Sequence, residues 1–162
     1  MKEEVLEKLD ALNIEYKEIT HGAVYTIEEM DALGNDYFEG AKIVKNLFVR
    51  DQKGKRHFLV VLPEEKRAPL DVIANKIGST RLSFASPERL MKYLKLTPGS
   101  VSPLAVINDE ESVVEVVLDE DLKNQVKVGV HPCTNTATVL ISMSDVEKYI
   151  SSCGNKIKYI KI

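Results

Sequence analysis

Apolar positions at Val5, Leu6, Leu9 and Leu12 fall on one side of a 3.6-residue period, which predicts an amphipathic helix over 2–12. Residues 16–19 alternate as a short strand does, until His21-Gly22 breaks the pattern. Thr26-Ile27-Glu28-Glu29 is a capping box, with Thr as cap and Glu three positions on, so a short helix is expected to about Leu33. Gly34-Asn35-Asp36 closes it, and 37–40 reads as loop. Residues 42–50 and 56–62 are two strand-like runs around a turn at 51–55 that carries Gly54. Period two puts Ile43, Lys45, Leu47 and Val49 on one face and Val44, Asn46, Phe48 and Arg50 on the other. Lys45 thus sits among apolar neighbours, either as a snorkelling edge residue or as a placed cation.

Charged residues 64–67 lead into a helix expected over 69–77, with Val72, Ile73 and Ile77 inward and Gly78 as its stop. A short strand is expected at 82–84. Ser86-Pro87 opens another helix, Ser as cap and Pro at the first position, with Leu90, Met91 and Leu94 as its apolar stripe. The run 104–107 reads as a strand, paired with 113–118 across the turn 108–111. Asp119 caps a short helical turn, and 126–130, 137–141 and 156–160 are strands. Ser144-Asp145-Val146-Glu147 is a second capping box, opening a helix that ends near Cys153 with Gly154 behind it. The sum is one α+β domain over 1–162, with a curved, mainly antiparallel mixed sheet and helices packed around it.

A chain of 162 residues fits one domain with a substantial core. Apolar and charged fractions of 44% and 29% are those of a globular protein, and no apolar run approaches a membrane span, so no membrane partner is expected. The N-terminal stretch is acidic and amphipathic, unlike a signal peptide, and the expected location is cytoplasmic. Cys133 and Cys153 make neither a disulfide framework nor a zinc pattern. A net charge of −3 argues against extensive binding to duplex DNA or RNA, while leaving room for a grip on one RNA end.

Candidate chemistry centres on Gly99-Ser100-Val101-Ser102-Pro103. Gly99 permits backbone conformations closed to other residues, and Pro103 fixes the far end without an N–H of its own. The N–H groups of Ser100, Val101 and Ser102 can converge on a carbonyl or phosphate oxygen; an ordinary Gly-Pro loop is the plainer alternative. His21 and His57 stand apart in the sequence, and His131 ends a strand in a polar loop. His131-Pro132-Cys133 lacks a second ligand pair for a metal, and Cys133 reads as a bystander thiol. Neither a Walker loop nor a dinucleotide fingerprint occurs.

Taken together, Lys45-Asn46-Leu47-Phe48, the Gly99 to Pro103 loop, and Val130-His131-Pro132 with Asn135-Thr136-Ala137-Thr138 resemble the YbaK/ProX family of aminoacyl-tRNA editing domains. Tyr25-Thr26-Ile27-Glu28-Glu29 and Leu82-Ser83-Phe84-Ala85 are similar to its free-standing members of the alanyl-tRNA(Pro) deacylase type. The resemblance implies metal-free, cofactor-free hydrolysis of a wrong aminoacyl ester at the tRNA 3′ end. The substrate it implies is Ala-tRNA(Pro), with Cys-tRNA(Pro) or another small aminoacyl-tRNA as the alternative, and a non-catalytic sensing module as a further one. It gives Gly99 and Pro103 as loop ends, Ser100, Val101 and Ser102 as main-chain donors, and Lys45 as the cation for the terminal nucleotide. Asn46, Asn135 and His131 border the same pocket, and Val24, Tyr25 and Thr26 are expected to wall it. The implied partners are the 3′ end of tRNA(Pro) and, as a further candidate, a prolyl-tRNA synthetase.

Overall fold

The strand β3 (His57–Pro63) is buried at every residue, so it runs through the middle of the molecule with both faces covered. The computed structural model describes residues 1–22 and 38–162; the expected helix from Thr26 and the expected wall of Val24, Tyr25 and Thr26 lie outside them. In chain order the elements are α1 (Lys2–Ala11), β1 (Lys17–Thr20), β2 (Lys42–Arg50), β3, α2 (Leu70–Ile77), β4 (Ser83–Phe84) and α3 (Pro87–Leu94). A 3-10 helix (Pro103–Asn108), β5 (Glu115–Asp119), a 3-10 turn (Glu120–Leu122), β6 (Val128–Val130), β7 (Ala137–Ile141), α4 (Met143–Ser152) and β8 (Ile157–Ile160) follow. None of the described helices is long and apolar enough to cross a membrane.

The strand order is β1-β7-β6-β2-β3-β5-β8, with β4 added beside β2. Among the described residues four of the seven pairings are antiparallel, and β2–β6, β3–β5 and β5–β8 are parallel. The β2–β3 hairpin turns at Asp51, whose Oδ1 accepts from the N–H groups of Lys55 and Arg56 at 2.8 and 3.1 Å. On its other edge β2 is paired, among the described residues, at two places only. Lys42 and Ile43 meet Val128 and Gly129 of β6, and Val49 and Arg50 meet Phe84 and Ser83 of β4. The stretch between them is an opening in the sheet. β2 and β6 approach closely because Gly129 has no side chain: a Cβ there would lie 2.5 Å from Ile43 Cδ1.

The main core lies on the face of β2 that carries Val44 and Phe48, against α1, α3, the 3-10 helix and α4. A second cluster joins Val49, Phe58, Val60 and Leu62 to Ile73, Ala74 and Ile77 of α2 on the other face. A small third one gathers Ile43, Ile19 and Ala41 around Phe38 and Leu140.

Several sequence expectations are corrected here. Residues 104–107 are not a strand but part of the 3-10 helix, and no 104–107/113–118 hairpin forms. Ser102 caps that helix and Pro103 takes its first position, the same Ser-Pro start that opens α3 at Ser86-Pro87. β5 instead pairs in parallel with β3 and β8, as suits an apolar run buried on both faces. The cap of α4 is Ser142, whose side chain accepts from Asp145 N–H, two residues before the expected box. Val72 and Met91 face outward at 38% and 48% exposure, and Ala74 takes the inward place in α2. Val126 lies ahead of β6 at 85% exposure.

Candidate functional site

The opening beside β2 is filled by the loop that runs into the 3-10 helix. Thr97-Pro98-Gly99-Ser100 is a tight turn closed by Ser100 N–H donating to the Thr97 carbonyl at 3.3 Å. Pro98 in second place and Gly99 in third, at φ 94°, fit a type II turn, which requires positive φ where Gly99 stands. The Ser100 N–H is therefore already engaged, contrary to the expectation that it is a free donor. Among the described residues nothing accepts from the N–H groups of Val101 and Ser102. Unpaired main-chain N–H groups inside a fold are rare and call for a partner.

Three bonds hold this loop in place. Asn46 Nδ2 donates to the Val101 carbonyl at 3.2 Å. Ser102, fully buried, donates its hydroxyl to the main-chain carbonyl of His131 and accepts from Leu104 N–H at 3.1 Å. The loop is thus tied to β2 on one side and to the end of β6 on the other. Asn46 Oδ1 is buried and has no hydrogen-bond partner among the described residues, so one acceptor at the opening stays available.

The other face of the opening carries a polar row. The β2–β6 pairing ends at Ile43↔Gly129, where the opening begins, and continuing β6–β7 one residue beyond Val130↔Val139 sets His131 opposite Thr138. His21 extends the row: its Nε2 lies 2.9 Å from Thr138 Oγ1, and its ring centroid 6.4 Å from that of His131. His131 Nδ1–H donates to the Ala137 carbonyl at 3.0 Å, which fixes the tautomer and leaves Nε2 as an acceptor. Burial, then the neighbouring His21, holds its pKa below the usual histidine value despite the Ala137 bond, so the ring is neutral at neutral pH. The Lys45 side chain alternates away from Asn46 and makes no hydrogen bond or ion pair among the described residues.

These contacts therefore bring together Asn46, Val101, Ser102 and His131, with Gly99 and Ser100 shaping the turn and Pro103 opening the 3-10 helix, while Lys45 stands next to Asn46 on β2 with its side chain on the opposite face. Asn135 lies in the β6–β7 connection, partly buried, with no hydrogen bond to the loop among the described residues. Cys133 is buried, and that burial pushes its thiol up to about 12, which removes it as a thiolate nucleophile. Sequence reasoning missed the Ser102 hydroxyl and the place of His21. The first was legible as a second Ser-Pro cap. The second depends on the β1–β7 pairing, which joins residues more than a hundred positions apart.

A family model described as "Aminoacyl-tRNA editing domain" matches residues 21–149. The chain is 50% identical over 161 residues to the prolyl-tRNA editing protein ProX of Acetoanaerobium sticklandii, covering 99% of this chain and 97% of that one. It is 33% identical over 152 residues to prolyl-tRNA synthetase associated domain-containing protein 1 of Danio rerio, covering 93% and 81%. A crystal structure of a proposed trans-editing enzyme for prolyl-tRNA synthetase superposes with a TM-score of 0.72 at 20% identity, covering 99% of this chain and 96% of that one.

Proposed function

The chain belongs to the aminoacyl-tRNA editing domain family, and we propose on that premise that it is a trans-editing deacylase that clears mischarged tRNA(Pro), Ala-tRNA(Pro) above all. The reaction is ester hydrolysis. Water adds to the carbonyl carbon of the ester that joins the amino acid to the terminal ribose, the bond between that carbon and the ribose oxygen breaks, and the ribose oxygen takes up a proton. Free amino acid and an intact tRNA 3′ end result.

The observation that carries this reading is the anchored loop with unpaired Val101 and Ser102 N–H groups. Such donors, held rigid before the reaction begins, stabilise the oxyanion as it forms, and one of them is worth about 10²–10³ in rate. Asn46 Oδ1 suits the ammonium of the aminoacyl group. Lys45 suits the terminal phosphate as a point charge. Neutral His131, with Nε2 unprotonated, suits a ribose hydroxyl or the attacking water. An ester needs little more than positioning and oxyanion stabilisation.

The task has a physical logic. A synthetase pocket built for a larger amino acid cannot strongly reject a smaller one, so a second site must admit the smaller and exclude the larger. Release of labelled amino acid from Ala-, Cys- and Pro-tRNA(Pro) tests the reading. The expected result is fast loss from Ala-tRNA(Pro), retention of Pro-tRNA(Pro), and at least a tenfold lower rate in folded Lys45→Ala and Asn46→Ala variants, the scale of one lost charge-assisted or polar contact in a transition state. Equal loss of alanine and proline, or full activity in both variants, overturns it.

A further inference from the structure

Phe84 is 63% exposed, more than any other large apolar residue among the described ones apart from Val126. Exposure by itself means little, since single apolar side chains on a surface are common. What distinguishes Phe84 is where it stands. It pairs with Val49 in register and so lies on the β2 face that carries Lys45 and Leu47. It also forms one wall of a groove of about 190 Å³ whose other wall is Pro98, Gly99 and Val101. Leu47, Pro87 and the polar Asn46 line it as well. The groove therefore begins at an exposed aromatic ring and ends on the loop with the unpaired N–H groups.

The groove's chemistry narrows its occupant. Among the described residues no charged side chain lines it, so a phosphate is not its guest, and the one polar side chain in its lining is Asn46, at the end that meets the loop. Its volume falls below the roughly 300–1,000 Å³ typical of pockets for drug-sized ligands and suits a single planar ring system. An open groove of this size would not separate alanine from proline, so the aminoacyl side chain is not its guest either. A flat, neutral, unstacked base at the end of an RNA fits, because every base has a face that stacks on an aromatic ring.

Resting on the deacylase reading, we infer that Phe84 is the stacking platform for the terminal adenine of the tRNA 3′ end. The ester then reaches the Val101 and Ser102 N–H groups. Lys45, four residues before Val49 and so roughly 13 Å back along the strand, takes the 5′ phosphate through its long side chain. Phe84 touches the base and not the reacting atoms; its role is to position the substrate.

The test uses the whole chain and two probes. With Ala-tRNA(Pro), Phe84→Ala raises KM about tenfold and leaves kcat within about twofold, the lower end of what one base–aromatic stack contributes. Phe84→Tyr restores the wild-type KM. In the second measurement an acceptor minihelix carries alanine through a non-hydrolysable amide and 2-aminopurine in place of the terminal adenine. Wild type and Phe84→Tyr quench its fluorescence on binding, and Phe84→Ala does not. An unchanged KM in Phe84→Ala, or quenching equal in wild type and Phe84→Ala, overturns the inference while leaving the deacylase reading intact. Absence of hydrolysis by the wild type, with quenching still present and dependent on Phe84, overturns the deacylase reading and not the platform.

Discussion

Two histidines show how one residue type is set to different uses by its neighbours. His57 is 2% exposed and packs against the rings of Phe48 and Tyr93, with centroids 5.6 and 4.1 Å away. Arg89 stands 3.0 Å from its Nε2, which must be the acceptor. Burial first, and Arg89 second, pull its pKa down to about 4. His131 is also neutral, yet its Nε2 has no hydrogen-bond partner among the described residues. The sign for His57 follows from the depressed value. Below the ordinary histidine pKa of about 6.5 the unfolded chain binds a proton that the folded one refuses, so stability falls as pH drops from about 6.5 towards 4 and is unaffected by this group above that window. The full loss is about 3 kcal/mol. Urea unfolding at pH 7.5 and at pH 4.5 should show it, and a His57→Phe variant should lose less between those two values than wild type. Equal losses in the two proteins would mean that carboxylates alone set the acid slope.

At the scale of elements, the 3-10 helix decides whether the loop is rigid. Its cap is Ser102, and its first turn is held from behind by Tyr149 of α4. The Tyr149 hydroxyl, fully buried, donates to the Leu104 carbonyl at 2.8 Å. Tyr149→Phe keeps the ring and leaves that carbonyl unpaired, which costs about 1–2 kcal/mol. For a domain of this size the melting temperature should fall by about 2–8 °C. A melting curve superimposable on wild type would show that water or a neighbour replaces the bond. The same element shows what the sequence made legible. β2, β3, α1, α3 and β7 follow from period and caps. Leu104, Ala105 and Val106 are all buried, so no polar position reveals whether the period is two or near three. β5 is ambiguous for the same reason, and its parallel partners cannot be read from a local pattern at all. The Ser-Pro signal was present at Ser102-Pro103 and outweighed by the apolar run behind it.

For the whole molecule, the question is how a chain of net charge −3 holds a polyanion. The proposed site answers it with few charges: one lysine, main-chain donors, and a groove inferred to meet a base. Main-chain N–H groups and stacked rings displace no counterions, so binding should depend weakly on salt. For single strands, log affinity falls with log salt by about 0.7 for each phosphate neutralised. A site that neutralises one or two phosphates should therefore give a slope of about −0.7 to −1.4 for the minihelix amide, and Lys45→Ala should remove about 0.7 of it. Phe84→Ala should weaken binding at every salt concentration without changing the slope. A wild-type slope steeper than about −3 would mean that several more cations grip the acceptor stem. The low net charge would then conceal a basic track beyond the opening beside β2, and the lysines and arginines of the β2–β3 hairpin would be the first to substitute.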